Sequence, residues 1–192
     1  MIIGIAGKTR VGKTTLASLL NQINDDYSVY SFAEEVRNEL ANAWFNNHQK
    51  KNRRAEWDLL ELTNKESVRP LLAGWGHGRR KLTGETYWVK RLMEGIPDGK
   101  TTVIDDVRYP NEIDAILEAG GIIIRLTACQ ETLIERGATE ESLSHPSENA
   151  LSNQLTLRES LAENRVFRIN TDGLNARGVL RAFNRQTQGV FD

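Results

Sequence analysis

The sequence predicts an α/β protein built on a five-stranded, mostly parallel sheet, and three observations carry that prediction. Apolar runs rich in Val or Ile recur with little alternation, as strands buried on both faces do. Helical patterns fall between them, which gives right-handed βαβ units. The first strand-to-helix turn is a complete GxxxxGK[ST] phosphate-binding loop, Gly7-Lys8-Thr9-Arg10-Val11-Gly12-Lys13-Thr14.

Residues 1–6 form the first apolar run, which enters that loop directly. The glycines let the backbone curl so that successive N–H groups face a phosphate; Lys13 reaches β and γ oxygens, and the Thr14 hydroxyl ligates Mg²⁺. A glycine-rich turn before an ordinary helix is the plain alternative. The helix at 14–23 has Leu16, Leu19, Leu20 and Ile23 on one face, and a second strand is expected over 27–32.

About seventy residues separate the second strand from the third, far more than a crossover helix needs, so an insertion over 34–100 is expected to have its own task. Within it, residues 68–81 combine Arg69, Arg79, Arg80 and Lys81 with small residues and Trp75. Such a segment fits an anionic small molecule, its base against Trp75 or Trp88 and its phosphate on the arginines. It fits a solvated basic turn as well. Trp44, Trp57, Trp75 and Trp88 also read as core anchors.

The third strand, 102–107, runs into Asp105, Asp106 and then Arg108 at the carboxyl end, where open α/β sheets bind ligands. One aspartate suits a Mg²⁺ shell or a substrate sugar hydroxyl, and Arg108 suits a bidentate phosphate contact. A helix N-cap by Asp106 with a surface salt bridge is the bland reading. The helix at 110–119 starts near Pro110, buries Ile113, Ile116 and Leu117, and stops at Gly120-Gly121.

A fourth strand at 121–127 precedes a polar excursion, 128–149, that contains Arg136 and Ser144-His145-Pro146-Ser147-Glu148 and reads as a closing lid. His145 is read as a loop or capping residue, because His48, His77 and His145 are scattered and no metal-ligand spacing exists. A fifth strand at 165–170 leads through Asp172-Gly173 into an amphipathic helix with Leu174, Val179, Leu180 and Phe183. That turn is placed on the same sheet edge as the phosphate loop, where its backbone suits an adenine pocket. A plain turn serves equally.

At 192 residues and 39% hydrophobic content, one domain with excursions is expected. A net charge of -1 disfavours nucleic acid as a partner. No apolar run approaches bilayer length, the chain starts without a leader-like segment, and its single cysteine, Cys129, has no internal partner. A cytoplasmic protein without membrane attachment, monomer or homodimer, is the expectation.

Taken together, several stretches resemble the deoxynucleoside monophosphate kinases of tailed bacteriophages, a branch of the P-loop nucleoside monophosphate kinase group. They are Gly4-Ile5-Ala6-Gly7-Lys8, Ser31-Phe32-Ala33, the Arg69-to-Arg80 segment, Tyr87-Trp88-Val89, the stretch from Asp105 through Arg108 to Glu112, His145-Pro146-Ser147-Glu148 and Asn170-Thr171-Asp172-Gly173. The Asp-Val-Arg-x-x-Asn-Glu part is the most family-specific. Thr14 departs from the family, standing where many members carry aspartate.

The resemblance implies a three-layer αβα P-loop kinase with sheet order 2-3-1-4-5, an acceptor-binding insertion and a lid. It implies transfer of the ATP γ-phosphoryl group to a deoxynucleoside 5′-monophosphate. By motif, Gly7, Arg10, Val11, Gly12, Lys13, Thr14 and Thr15 serve ATP, with Thr14 and Asp105 on Mg²⁺. Asp106, Arg108 and Glu112 form the acceptor and catalytic cluster, Arg69, Arg79, Arg80 and Trp88 hold the monophosphate and its base, and Arg136 is the lid arginine. The alternatives are another small-molecule P-loop kinase, acting on dephospho-coenzyme A or a nucleoside, and a regulatory ATPase. The guanine-reading Asn-Lys-x-Asp of GTPases is absent, since Asn64-Lys65-Glu66-Ser67 lacks the aspartate.

Overall fold

The computed structural model describes residues 1–44, 58, 65–144, 155–156 and 164–190. Trp57 and His145-Pro146-Ser147-Glu148 lie outside these residues. The described residues fall into two compact units, one of 1–30 with 97–190 and one of 31–96.

The first unit holds the sheet. Strands β1 (Ile2–Ala6), β2 (Tyr27–Tyr30), β3 (Thr101–Val107), β4 (Ile122–Thr127) and β5 (Val166–Asn170) lie in the order β2-β3-β1-β4-β5, all neighbours parallel. This is the order that the resemblance implies. The reason for the apolar runs is visible at once: β1 and β4 are central, and Ile3, Ile5, Ile122, Ile123 and Ile124 are buried on both faces.

Helix α1 (Lys13–Ile23) buries Leu16, Ala17 and Leu20 in the same core as Ile3, Ile5, Ile124 and Phe183. Ile23, expected on that face, is exposed at the last turn. Strand β2 is shorter than expected, ending at Tyr30. Phe32 instead opens a helix and is buried there. The segment 128–149, expected as a lid, contains two short helices in its described part, at Gln130–Glu135 and Glu140–Ser144. Leu133, Ala138 and Leu143 sink into the main core, so these residues are packed rather than free-standing. The last helix, Ala176–Gln186, starts after Leu174 and is capped by the Asn175 side chain, which accepts from the Gly178 amide at 2.9 Å.

The second unit is helical. Helices α2 (Phe32–Trp44), α3 (Lys65–Thr83) and α4 (Tyr87–Gly95) pack on one another. The basic stretch 68–81, read as an anion-holding segment or a solvated basic turn, is continuous helix. Gly74, Gly76 and Gly78 each cost a helix about 1 kcal/mol relative to alanine, so propensity opposes this outcome. Packing decides it: Val68 is buried against Leu40 and Ala41, with Leu71, Leu72 and Trp75 alongside.

Candidate active site

The phosphate loop is held in shape by its own carbonyls and by two neighbouring turns. Gly7 has φ +146° and Gly12 φ +104°. A Cβ on Gly7 would meet the Leu126 carbonyl oxygen at 2.4 Å, so the loop lies directly against β4. At Gly12 nothing stands within 4 Å of where a Cβ would be, and this residue is the N-cap of α1. The helix therefore begins in open space, where its first amides suit an anion. Arg10 is exposed and takes the left-handed conformation at φ +61°, which is uncommon outside glycine.

Lys13 Nζ donates to the Gly7 carbonyl at 2.7 Å and to the Lys8 carbonyl at 2.9 Å. The ammonium is thus fixed over the loop. Thr14 and Thr15 follow it in the first turn and are both exposed. Open space at a helix start, a fixed ammonium and an exposed hydroxyl fit a polyphosphate and its divalent cation.

Arg136 and Thr171 hold the loop from the other side. Arg136 Nη1 donates to the Thr171 hydroxyl at 3.0 Å, and Nη2 donates to the Thr171 carbonyl at 2.8 Å. The Val11 carbonyl accepts from the Thr171 hydroxyl at 3.4 Å and from Arg136 Nη1 at 3.5 Å. The expected lid arginine is therefore turned onto the loop backbone and the turn after β5. That turn is tied down in its own right: Asp172 Oδ1 accepts from the Cys129 amide at 2.9 Å, and this bond holds the Asp172 carboxyl below its ordinary range.

Asp105 and Asp106 sit at an irregularity in the sheet. Gly4 pairs with Ile104 and Ala6 with Val107, so β3 advances three residues while β1 advances two. The two aspartates share the place of one, which breaks the alternation of faces and leaves both half-buried. Arg108 follows with an exposed side chain.

Glu112 differs from expectation. It is buried, and its Oε2 accepts from the Arg108 amide at 2.6 Å and the Tyr109 amide at 2.9 Å. This is a capping carboxylate at the third position of the helix Pro110–Glu118. It shapes the Arg108 segment from beneath, with Oε2 committed to these two backbone bonds.

Within the second unit, Trp88 takes the core-anchor reading of the two that the sequence leaves open. Only 3% of it is exposed, and its indole N–H donates to the Gly76 carbonyl at 3.0 Å. A ring enclosed in this way anchors the helices and offers no face for a base. Arg69 is exposed on α3, and Arg79 and Arg80 are half-buried. Arg79 Nε bonds to Glu39 Oε1, and its guanidinium lies 5.5 Å from the Trp75 ring centre and 5.7 Å from that of Tyr87.

Glu39 escaped the sequence reading although it organises this unit. Besides Arg79, it accepts from Trp75 Nε1 at 2.9 Å, from the Tyr87 hydroxyl and from Arg91 Nη1 at 3.1 Å. Arg91 Nε donates in turn to Glu35 at 3.1 Å. Burial alone would raise the Glu39 carboxyl, but the bonds from Tyr87, Arg79 and Trp75 outweigh it and hold the group below its ordinary range. The available signal was three pairs at i,i+4, Glu35 with Glu39, Trp75 with Arg79 and Tyr87 with Arg91, each marking one helix face.

A parallel five-stranded sheet in this order, opening on a phosphate loop, is the P-loop kinase fold. The AAA domain family model matches residues 3–153, and the chain belongs to that family. Thymidylate kinase from Candida albicans superposes with a TM-score of 0.55 at 14% identity, covering 99% of this chain and 92% of its own. Shikimate kinase from Aquifex aeolicus gives 0.52 at 14%, with 100% and 98% covered, and that from Acinetobacter baumannii gives 0.52 at 14%, with 99% and 93% covered. No curated protein matches the sequence significantly. No described helix is long and apolar enough to cross a membrane.

Proposed function

We propose that this protein transfers the γ-phosphoryl group of ATP to a deoxynucleoside 5′-monophosphate, giving ADP and the deoxynucleoside diphosphate. The observation that carries the reading is the loop with Lys13 Nζ fixed on the Gly7 and Lys8 carbonyls at the open start of α1. The run of motifs from Ser31 to Asn170 supports the acceptor, and the thymidylate kinase likeness in fold agrees with it.

The acceptor's phosphate oxygen attacks the γ-phosphorus as the bond to the β,γ-bridging oxygen breaks, and ADP leaves. Such a transition state spreads negative charge over the equatorial oxygens and asks mainly for positioning and charge neutralisation. Lys13 and the amides at Gly12 and Thr14 supply both on the donor side. Thr14 and Asp105 would hold Mg²⁺, which neutralises charge on the β and γ oxygens. Asp106 accepts a hydrogen bond from the acceptor, and the exposed Arg108 grips its phosphate. Arg69, Arg79 and Arg80 supply the cations of residues 31–96. Arg136 acts through Thr171 and Val11 by holding the loop.

The test is a coupled ADP-release assay with ATP and Mg²⁺ over a panel of deoxynucleoside and ribonucleoside monophosphates, nucleosides, dephospho-coenzyme A and hydroxy acids such as shikimate. Stimulation by deoxynucleoside monophosphates is expected. If none of them stimulates ADP release the reading fails, and turnover of ATP without any acceptor points to an ATPase.

A further inference from the structure

An ionised carboxylate offers about four lone-pair sites, and the four donors on Glu39, from Trp75, Arg79, Tyr87 and Arg91, fill them. Glu39 therefore has no capacity left for a ligand. Its effect falls on Arg79. With Nε taken by Glu39 and the rings of Trp75 and Tyr87 close by, the guanidinium has its plane and direction fixed. The Nη1/Nη2 edge makes no bond among the described residues, and the side chain is 38% exposed. That edge is a ready fork for an oxyanion, the bidentate geometry at which arginine exceeds lysine.

Arg91 closes the arrangement. Its Nη1 holds the other Glu39 oxygen and its Nε holds Glu35, so Arg91 is consumed as support. The charge distribution says which ligand suits the unit: residues 31–96 carry twelve Lys and Arg against nine Asp and Glu, while the rest of the chain carries thirteen against seventeen. The positive balance of residues 31–96 favours an anion there.

We propose that Glu39 is a positioning residue that presents the end-on edge of Arg79 to the phosphate group of the phosphoryl acceptor. The identification of that anion as the acceptor rests on the function proposed above, whereas the fork rests on the side chains alone.

The experiment titrates inorganic phosphate into the full-length protein saturated with Mg²⁺ and a non-hydrolysable ATP analogue, so that the loop is filled, and follows binding by calorimetry. A charge-assisted hydrogen bond of this kind corresponds to about tenfold or more in affinity. Glu39→Gln is therefore expected to raise the phosphate Kd about tenfold, with the analogue's Kd within twofold of wild type. Arg79→Lys, which keeps the charge and loses the fork, is expected to do the same. If Glu39→Gln does not fold, Glu39→Asp withdraws the carboxylate by one methylene and gives the same readout.

A purely structural role would lower the melting temperature and leave phosphate affinity unchanged in the folded protein. Phosphate affinity within twofold of wild type in a folded Glu39 variant overturns the proposal. So does the absence of phosphate binding by the wild type. An analogue that fails to bind strikes the kinase reading instead and leaves the comparison of phosphate affinities intact.

Discussion

Arg136 grips Thr171 twice, donating to its hydroxyl at 3.0 Å and to its carbonyl at 2.8 Å, and the pair meets the Val11 carbonyl of the phosphate loop. Thr171 is fully buried, so Thr171→Val replaces the hydroxyl by a methyl of similar shape and leaves polar groups of Arg136, Val11 and Thr127 short of a partner. A loss of about 1–3 kcal/mol in stability is expected, measured by urea denaturation. Affinity for Mg²⁺ and ATP should fall with it, since the loop loses a brace. Unchanged nucleotide affinity in the folded variant would show that the contact serves stability alone.

The loop's contact with β4 gives a sharper steric case. Gly7→Ala places a Cβ 2.4 Å from the Leu126 carbonyl oxygen at φ +146°, so either the loop or the central strand must shift. Backbone conformations of this type cost of order 1–3 kcal/mol for a residue with a side chain, before any clash is counted. Gly7→Ala should therefore lose nucleotide binding and lower the melting temperature together. Lys13→Ala separates the two: the fold persists by circular dichroism while phosphoryl transfer falls on the order of 10³-fold or more.

Glu112 was expected among acceptor ligands, and its burial beneath Arg108 and Tyr109 predicts a different phenotype. Glu112→Gln keeps the size but weakens two charge-assisted bonds to backbone amides. About 2 kcal/mol is expected to be lost, or ~4–8 °C in melting temperature for a chain of this length. A variant of normal stability that has lost only acceptor affinity would restore the ligand role.

These cases also show where sequence reasoning reaches and where it stops. The loop from Gly7 to Thr14 and the buried runs of β1, β3 and β4 were legible because each is a local pattern, fixed by spacing or by continuous apolar character. The irregularity at Asp105-Asp106 was hidden, because a residue inserted opposite Ile5 depends on how β3 registers with β1. Trp88 could be read as a platform or as an anchor, and only the packing of α4 on α2 and α3 decides for the anchor. Glu39 was hidden for the same reason. Its donors come from Trp75, Arg79, Tyr87 and Arg91, and which helix faces meet is a tertiary fact.

Glu39 should also contribute to the protein's response to acid. Its carboxyl lies below the ordinary value of 4.5 in the folded state, because the donors from Tyr87, Arg79 and Trp75 outweigh the burial that opposes them. A carboxyl of lowered pKa contributes stability that is fully present above its unfolded value and is lost as pH falls through the folded one. Wild type should therefore lose stability progressively below about pH 4.5, as the unfolded chain takes up the proton before the folded one does. Glu39→Gln lacks this titration and should show a lower stability near pH 7 but a shallower fall with acid. Urea denaturation of both proteins from pH 7 to pH 3 measures the difference between the two slopes. Parallel curves across that range would mean that the carboxyl has the same pKa in the folded and unfolded protein, and the four-donor arrangement around it would then lose its electrostatic basis.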